Sequence, residues 1–467
     1  MIDSVSDLSM EVLVDRGQWT SRIGFILAAA GSAVGLGNLW KFPYLTWENG
    51  GGLFVLAYLF AVTVVGFPVM VAEILIGRRA QASPVPAFYR LGGKAWTWVG
   101  WLGVLAGAVI LAYYTVIAGW SLRSFFQCIR WSIRGYDSPG PFGQFLADGA
   151  AQVGYTASFT VLTTFIVYRG IQHGIEQASK VMMPALFLIM LYVVGTALTL
   201  DNSGRALEHL FVPRPEATPP QAILLAMGQA FFSLSLGLGA MITYGSYLGR
   251  NESIPRSAAW VVVCDTLVAL LAAVTMFSII HSVPGLQDRV SASVVGMLFI
   301  TLPELFYTVM PLGALLAPLF FLLVIFAALT STISLGEVVA SLLIDEFKLS
   351  RPKAVLLSSG VVFVGSVICA LSLGAIGPIS SFELFDGKQG VLSTLDHLAA
   401  NYMLPIGGLG ITAFVGWFMG RRQCLEELGL SRPPIWFHVW LWCVRVVAPA
   451  AIVALLVMVF SGMRDFS

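Results

Sequence analysis

Asn38 and Asp265 are the two side chains whose setting demands a chemical reason. Asn38 lies in the apolar run AAAGSAVGLGNLWKFP, from Ala28 to Pro43, and Asp265 in VVVCDTLVALLAAV. An Asp inside such a run is costly unless it is partnered; the plain alternative is an acid kept neutral by burial and hydrogen bonding. The run around Asn38 has a counterpart in the second half of the chain, FFSLSLGLGAMITYGS from Phe231 to Ser246. Both are interrupted by glycine and small polar residues, so each is expected to unwind in mid-membrane. The freed carbonyls and N–H groups can be satisfied only by an ion, a polar substrate or other protein. A pair of such breaks in corresponding positions points to a transport site. A helix-packing face would account for Gly31 and Gly35 at G-x-x-x-G spacing. It accounts for neither Asn38 nor the recurrence of the pattern. Thr330 and Ser331 add two hydroxyls to another apolar run; alone, such a pair more often bonds back to the preceding turn.

Positioning these groups requires a membrane. Hydrophobic residues make up 57% of the 467 residues and charged ones 11%, with a mean hydropathy of +0.84, which is the composition of a polytopic membrane protein. A net charge of +1 offers no basic surface, so a nucleic-acid partner is disfavoured. The cysteines at 128, 264, 369, 424 and 443 are scattered, without metal or disulfide spacing. The polar first twenty residues lack the pattern of a removable signal peptide. Neither interrupted run follows a strand, so neither is a dinucleotide fingerprint.

Eleven stretches are long enough to span about 30 Å of hydrocarbon: 22–48, 53–77, 98–127, 150–170, 181–200, 221–248, 257–283, 312–343, 354–377, 392–419 and 435–460. Arg16, Arg22, Arg78, Arg79, Lys180, Arg250 and Lys348 gather on the side of the N-terminus, which the positive-inside rule makes cytoplasmic. The region 282–310, with Pro284 and Pro303, is expected to form short non-spanning helices that act as an outer lid.

WTSRIGFILAAAGSAVGLGNLWKFPY, ENGGGLF, QAFFSLSLGLGAMITYGSY and AALTSTIS together resemble the neurotransmitter:sodium symporter family, in its bacterial amino-acid transporter branch. The resemblance implies an all-α fold with helices 1–5 (22–200) and 6–10 (221–419) as inverted repeats, helices 1 and 6 broken, helix 11 at 435–460 and a cytoplasmic latch at 1–21. The twelfth helix usual in eukaryotic members has no counterpart. It further implies sodium-coupled symport of a small amino acid, with two sodium sites. One would use the Ala33 carbonyl, the side chains of Asn38, Ser233 and Asp265, and the substrate carboxylate. The other would use the carbonyls of Gly31, Val34 and Ala327 with the hydroxyls of Thr330 and Ser331.

By the same resemblance the substrate carboxylate meets the Leu36 and Gly37 N–H groups and the Tyr114 hydroxyl, and the amino group meets carbonyls between Phe232 and Ser235. Ser32, Ile110, Phe232, Ser235, Leu238, Thr332 and Leu335 then form a mostly apolar pocket for a neutral hydrophobic side chain. Leu238 departs from the phenylalanine or methionine of relatives and leaves aliphatic against aromatic preference open. Lys41 and Asp396 match an outer gate, with Lys in place of the usual Arg, a single-point rather than forked donor. Arg16, Trp19, Ser246, Tyr247 and Asp345 match an inner latch, and Glu73 a brace for the helix 6 break. Ala269 replaces a serine of chloride-dependent relatives, and Asp265 already supplies negative charge, so transport is expected to be chloride-independent, with proton countertransport through Asp265 left open.

Two sodium ions are sufficient as a motor. Each inward charge gains about 2.3 kcal/mol per 100 mV and a tenfold gradient about 1.4 kcal/mol more, so two ions yield roughly 7 kcal/mol. A membrane enzyme is disfavoured, because the histidines at 173, 209, 281, 397 and 438 are dispersed. A proton-coupled permease would offer a lysine in place of the second sodium. An amino-acid sensor that does not transport, or a symporter for another small zwitterion, would share the ligand set. The expected setting is the bacterial inner membrane, crossed many times by a monomer or weak homodimer.

Overall fold

The computed structural model describes residues 17–137, 142–215, 221–283 and 296–462; Arg16, of the expected latch, lies outside them. Among these residues nine continuous helices are long and apolar enough to cross a membrane. They are helix 2 (Gly52–Ala80), helix 3 (Lys94–Arg134), helix 4 (Gly149–Tyr168), helix 5 (Ile171–Ala197), helix 7 (Ile254–Ser282), helix 8 (Gly313–Asp345), helix 9 (Arg351–Leu371), helix 10 (Val391–Phe418) and helix 11 (Ile435–Phe460). Arg22–Ala33 and Gly37–Glu48, bent by 55° at the break between them, form helix 1. Ala222–Ser233 and Ala240–Ser246 occupy the place of helix 6. The chain is thus an all-α polytopic membrane protein.

The two breaks arise from different backbone devices. In helix 1 the regular turns stop at Ala33, Val34 is extended (φ −70°, ψ 103°), and the chain resumes at Gly37 in a π turn. In helix 6 the residues Ser235 (φ 53°), Gly237 (φ 80°) and Gly239 (φ 72°) are all left-handed. Glycine adopts that region without penalty, whereas a serine there carries strain of about 1 kcal/mol or more. Ser235 Oγ offsets that cost by donating to the Ser32 carbonyl at 2.8 Å, which ties one break to the other.

Proline accounts for most of the π turns. The turns Gly37–Lys41, Val62–Gly66, Met297–Thr301, Ala399–Met403 and Cys443–Val447 are each followed, two residues on, by Pro43, Pro68, Pro303, Pro405 or Pro449. Proline has no N–H and its ring crowds the carbonyl four residues back. The preceding residue reaches one carbonyl further, as the Phe42 N–H does in bonding to Gly37.

Helix 5 begins at Ile171, ten residues before the expected 181, directly after Gly170 (φ 85°) ends the turn from helix 4. The polar residues there are held as helix because buried Glu176 is fully partnered. It accepts from the Thr20 N–H at 2.8 Å and from Ser21 Oγ at 3.2 Å, and pairs with Lys180 at 2.7 Å. Helices 4, 5 and 9 are the least enclosed, and the two short ones among them, helices 4 and 9 of 20 and 21 residues, form a rim of the bundle. Of the expected lid, Met297–Thr308 forms a short apolar helix.

On the short helix Ser203–Phe211, the ring of His209 packs against Trp47 at 4.8 Å and His281 at 5.4 Å. Burial, with His281 and Arg214 adding repulsion, lowers its pKa to about 4, so it is neutral at pH 7. An unfolded histidine binds its proton near pH 6.5. This contact therefore stabilises fully above that pH and weakens as pH falls from about 6.5 towards 4. The melting temperature should drop between pH 7.5 and 5, and His209→Phe, which keeps a ring but cannot titrate, should flatten that drop. An unchanged pH profile in the variant would assign the acid sensitivity elsewhere.

Candidate functional site

Both breaks face one cavity of about 40 Å³, measured at the centre of a water-sized sphere. It is lined from helix 1 by Ser32, Ala33, Gly35, Gly37 and Asn38, from helix 3 by Ile110 and Tyr114, and from helix 6 by Phe232, Ser233, Ser235 and Leu238. Helix 8 contributes Ser331, Ser334 and Leu335, and helix 10 contributes Leu404. That volume holds about three waters. An amino acid with a large side chain needs the walls to part.

The polar end of the cavity is built on Asp265, which is wholly buried in helix 7. Its carboxylate accepts from Asn38 Nδ2 at 2.7 Å, from Ser233 Oγ at 2.9 Å and from Tyr58 Oη at 3.2 Å. Asn38 Nδ2 also lies 2.9 Å from Ser233 Oγ, while its Oδ1 accepts the Gly35 N–H at 3.0 Å and so caps the broken helix end. Neutral donors satisfy the oxygens but not the charge, and among the described residues no basic side chain forms an ion pair with Asp265. A buried carboxylate in that position fits a small cation, because a unit positive charge removes most of the cost of its burial.

Beside it, the Tyr114 hydroxyl accepts the Leu36 N–H at 3.0 Å. Leu36 itself does not line the cavity, but its N–H and the tyrosine form a polar corner suited to a carboxylate.

Gly31, Val34, Ala327, Thr330 and Ser331 lie where helices 1 and 8 touch. A Cβ on Gly31 would come within 2.9 Å of Thr330 Cβ, so only glycine allows the approach. Thr330 and Ser331 each donate to the Ala327 carbonyl at 3.1 Å. Those bonds use the hydroxyl protons and leave the oxygen lone pairs available for a cation.

Thr332 is turned away from the cavity. Its Oγ1 is paired with Thr163 of helix 4 at 2.8 Å and donates to the Leu329 carbonyl at 3.0 Å. Helical spacing gives the reason, since Ser331, Ser334 and Leu335 share one face at i, i+3 and i+4 and Thr332 lies off it. Ser334, which bonds Ser32 Oγ at 2.7 Å, was legible in that spacing; Leu404 was not, because it enters from a distant helix.

Glu73, fully buried in helix 2, accepts the Gly237 N–H at 2.7 Å and so supports the unwound part of helix 6. At the end of the cavity nearest the lid helix, Lys41 Nζ lies 4.6 Å from the centre of the Phe232 ring, and Asp396 faces the Tyr113 hydroxyl. At the opposite end Trp19 donates from Nε1 to the Tyr244 carbonyl at 3.0 Å and from its backbone to Tyr247 at 3.2 Å. Tyr247 Oη donates to Glu337 at 2.7 Å, and Glu337 pairs with Arg351. Asp345 accepts the Ser83 N–H at 2.7 Å, and Ser246 Oγ donates to Thr243. Glu337 was missed in the sequence, although an acid inside an apolar, membrane-length run is the signal that singled out Asp265.

The profile of the Sodium:neurotransmitter symporter family matches residues 16–134 and 146–466. The chain is 35% identical to the uncharacterized sodium-dependent transporter YhdH of Bacillus subtilis (strain 168), over 93% of this chain and 96% of that protein. It is 27% identical to the sodium-dependent dopamine transporter of Bos taurus, over 96% of this chain and 70% of that one. The crystal structure of MhsT in complex with L-phenylalanine superposes with a TM-score of 0.85 at 36% identity, covering 95% of this chain and 99% of that one.

Proposed function

The chain belongs to the sodium:neurotransmitter symporter family, and from that premise we propose that it imports neutral, hydrophobic amino acids together with two sodium ions across a bacterial inner membrane. The observation that carries this reading is the convergence of both helix breaks on one cavity. A buried, uncompensated carboxylate stands behind Asn38 and Ser233 at one end of it, the Tyr114–Leu36 corner lies beside that end, and Ile110, Leu238, Leu335 and Leu404 form its apolar remainder. MhsT is a structure with L-phenylalanine bound, which favours the same class of substrate here.

In this mechanism one sodium ion sits among Asn38, Ser233, Asp265 and the Ala33 carbonyl and is completed by the carboxylate of the substrate. Cation and substrate therefore favour each other, which is the coupling. The second ion, among Gly31, Val34, Ala327, Thr330 and Ser331, joins helix 1 to helix 8. Its departure loosens helix 1 towards the Trp19 end. That end is assigned to the cytoplasm because the basic residues cluster there. Asp265 supplies the negative charge, and chloride is not required.

Radiolabelled leucine and tryptophan uptake into proteoliposomes tests the proposal. An inward sodium gradient should drive accumulation, potassium or choline should not, and replacing chloride by gluconate should leave the rate unchanged. Binding without accumulation would favour a sensor. Equal drive by a proton gradient would overturn the role given to Thr330 and Ser331.

A further inference from the structure

A second cavity, more spacious than the central one, belongs to none of the groups discussed so far. It measures about 320 Å³ and lies between helix 3, the short helix Phe142–Ala147 and the lid helix. Helix 3 runs for 41 residues, about 61 Å at 1.5 Å per residue, twice the hydrocarbon thickness. Its last turns therefore project into water. Arg123, Gln127 and Trp131, at i, i+4 and i+8, present one face of those turns to the cavity, and Phe142 and Phe299 close the other side.

Arg123 is the unusual member. Its guanidinium stacks on the Phe145 ring at 4.1 Å, but among the described residues it forms no ion pair and donates no hydrogen bond. Gln127 is likewise without a hydrogen-bond partner among them. A stacked guanidinium is held in one orientation with its N–H fork unspent, the geometry that takes a carboxylate through two bonds. A cavity of this volume, walled by Trp131, Phe142, Phe299 and Ile300 with a few converging polar groups, has the make-up of a small-molecule site.

We propose that this cavity binds a small carboxylate with an aromatic or branched apolar body, the acid on Arg123 and Gln127 and the body between Trp131, Phe142 and Phe299. The occupant would touch the transport machinery through one residue. Phe299 walls the cavity and also packs edge-on against Trp40, at 6.0 Å, in the π turn that follows the helix 1 break. A ligand there would hold the lid helix to helix 3 and favour the closed arrangement of that end.

Isothermal titration of 3-phenylpropionate into the purified full-length protein, in nanodiscs of zwitterionic lipid, tests the site without relying on flux. The probe lacks the amino group of an amino acid, and choline replaces sodium with no amino acid added, so that the sodium-dependent central cavity stays unloaded and no other carboxylate with an apolar body competes for the site. Saturable binding is expected, weaker by about tenfold or more in Arg123→Gln through loss of the charged fork. The uncharged 3-phenylpropanol should bind weakly in the same proportion. Gly143→Leu provides a second route, since a Cβ at Gly143 meets nothing within 4 Å; its side chain should fill the cavity and exclude the probe while the protein stays monodisperse. No saturable binding, or binding undiminished in both variants, would overturn the assignment. Loss of probe binding in anionic-lipid nanodiscs alone would give the site to a lipid headgroup and overturn it for a free carboxylate.

Discussion

Sodium-driven uptake should fall by about a hundredfold or more when Asp265 is replaced by asparagine. The substitution preserves shape and most of the hydrogen bonding around Asn38, Ser233 and Tyr58, so the protein should fold and remain monodisperse. What it removes is the one buried negative charge beside the proposed ion. Breaking a buried charge pair typically costs about 3–5 kcal/mol, which is roughly two to three and a half orders of magnitude in an equilibrium constant. The residual activity of the variant should also become dependent on chloride, because an external anion can replace the missing charge. Uptake in chloride and in gluconate, measured on both proteins, decides the matter. A variant that still accumulates substrate in gluconate at the parent rate would remove Asp265 from the role of counter-charge.

The second large effect falls on folding. A methyl group on Gly77 would stand 1.9 Å from the Ile242 carbonyl oxygen and 2.9 Å from the Ser246 nitrogen, so helix 2 and the second half of helix 6 touch backbone to backbone. Gly245, from the other side, lies against the Ile74 backbone, which a Cβ there would approach to 2.7 Å. Neither contact can yield through a side-chain rotation; the helices would have to separate. Overpacking of this kind costs about 1–3 kcal/mol and more where backbone must move, enough to exhaust much of a typical margin of stability. Gly77→Ala is expected to give little monodisperse protein after detergent extraction, whereas Gly360→Ala, whose Cβ meets nothing within 4 Å, should match the parent in yield and melting temperature. Parity between the two would disprove the close apposition of helices 2 and 6.

The two breaks were legible because glycine and polar residues clustered in a membrane-length apolar run weaken the helix at a depth where lipid offers the backbone no partners. Asp265 was legible for a related reason, as a charge that the membrane forbids without a partner. Thr332 was misplaced by matching positions one at a time; the helical period that excludes it and admits Ser334 was present in the same line of sequence. Glu176 was different in kind: apart from Lys180 one turn on, its partners Thr20 and Ser21 lie far away along the chain, and nothing local distinguishes it from a solvated acid. Glu337 carried the same signal as Asp265, a charge inside a membrane-length apolar run, and only its partners Tyr247 and Arg351 could not be read locally. The π turns were intermediate, since the prolines were visible but the carbonyl that each preceding residue reaches depends on the continued helix.

The rim formed by helices 4 and 9 has a consequence for where the protein can work. Twenty and twenty-one residues reach about 30 Å at 1.5 Å per residue, which matches an average hydrocarbon core with no length to spare, while helix 3 at the centre is twice as long. A bilayer a few ångströms thicker can be met at the centre by residues already present, but at the rim only by thinning the lipid or by drawing polar ends into it, at fractions of a kcal/mol per ångström. Acyl-chain length therefore acts on the two sides of the bundle unequally, and membrane thickness becomes a force between the lipid-facing helices and the core they surround.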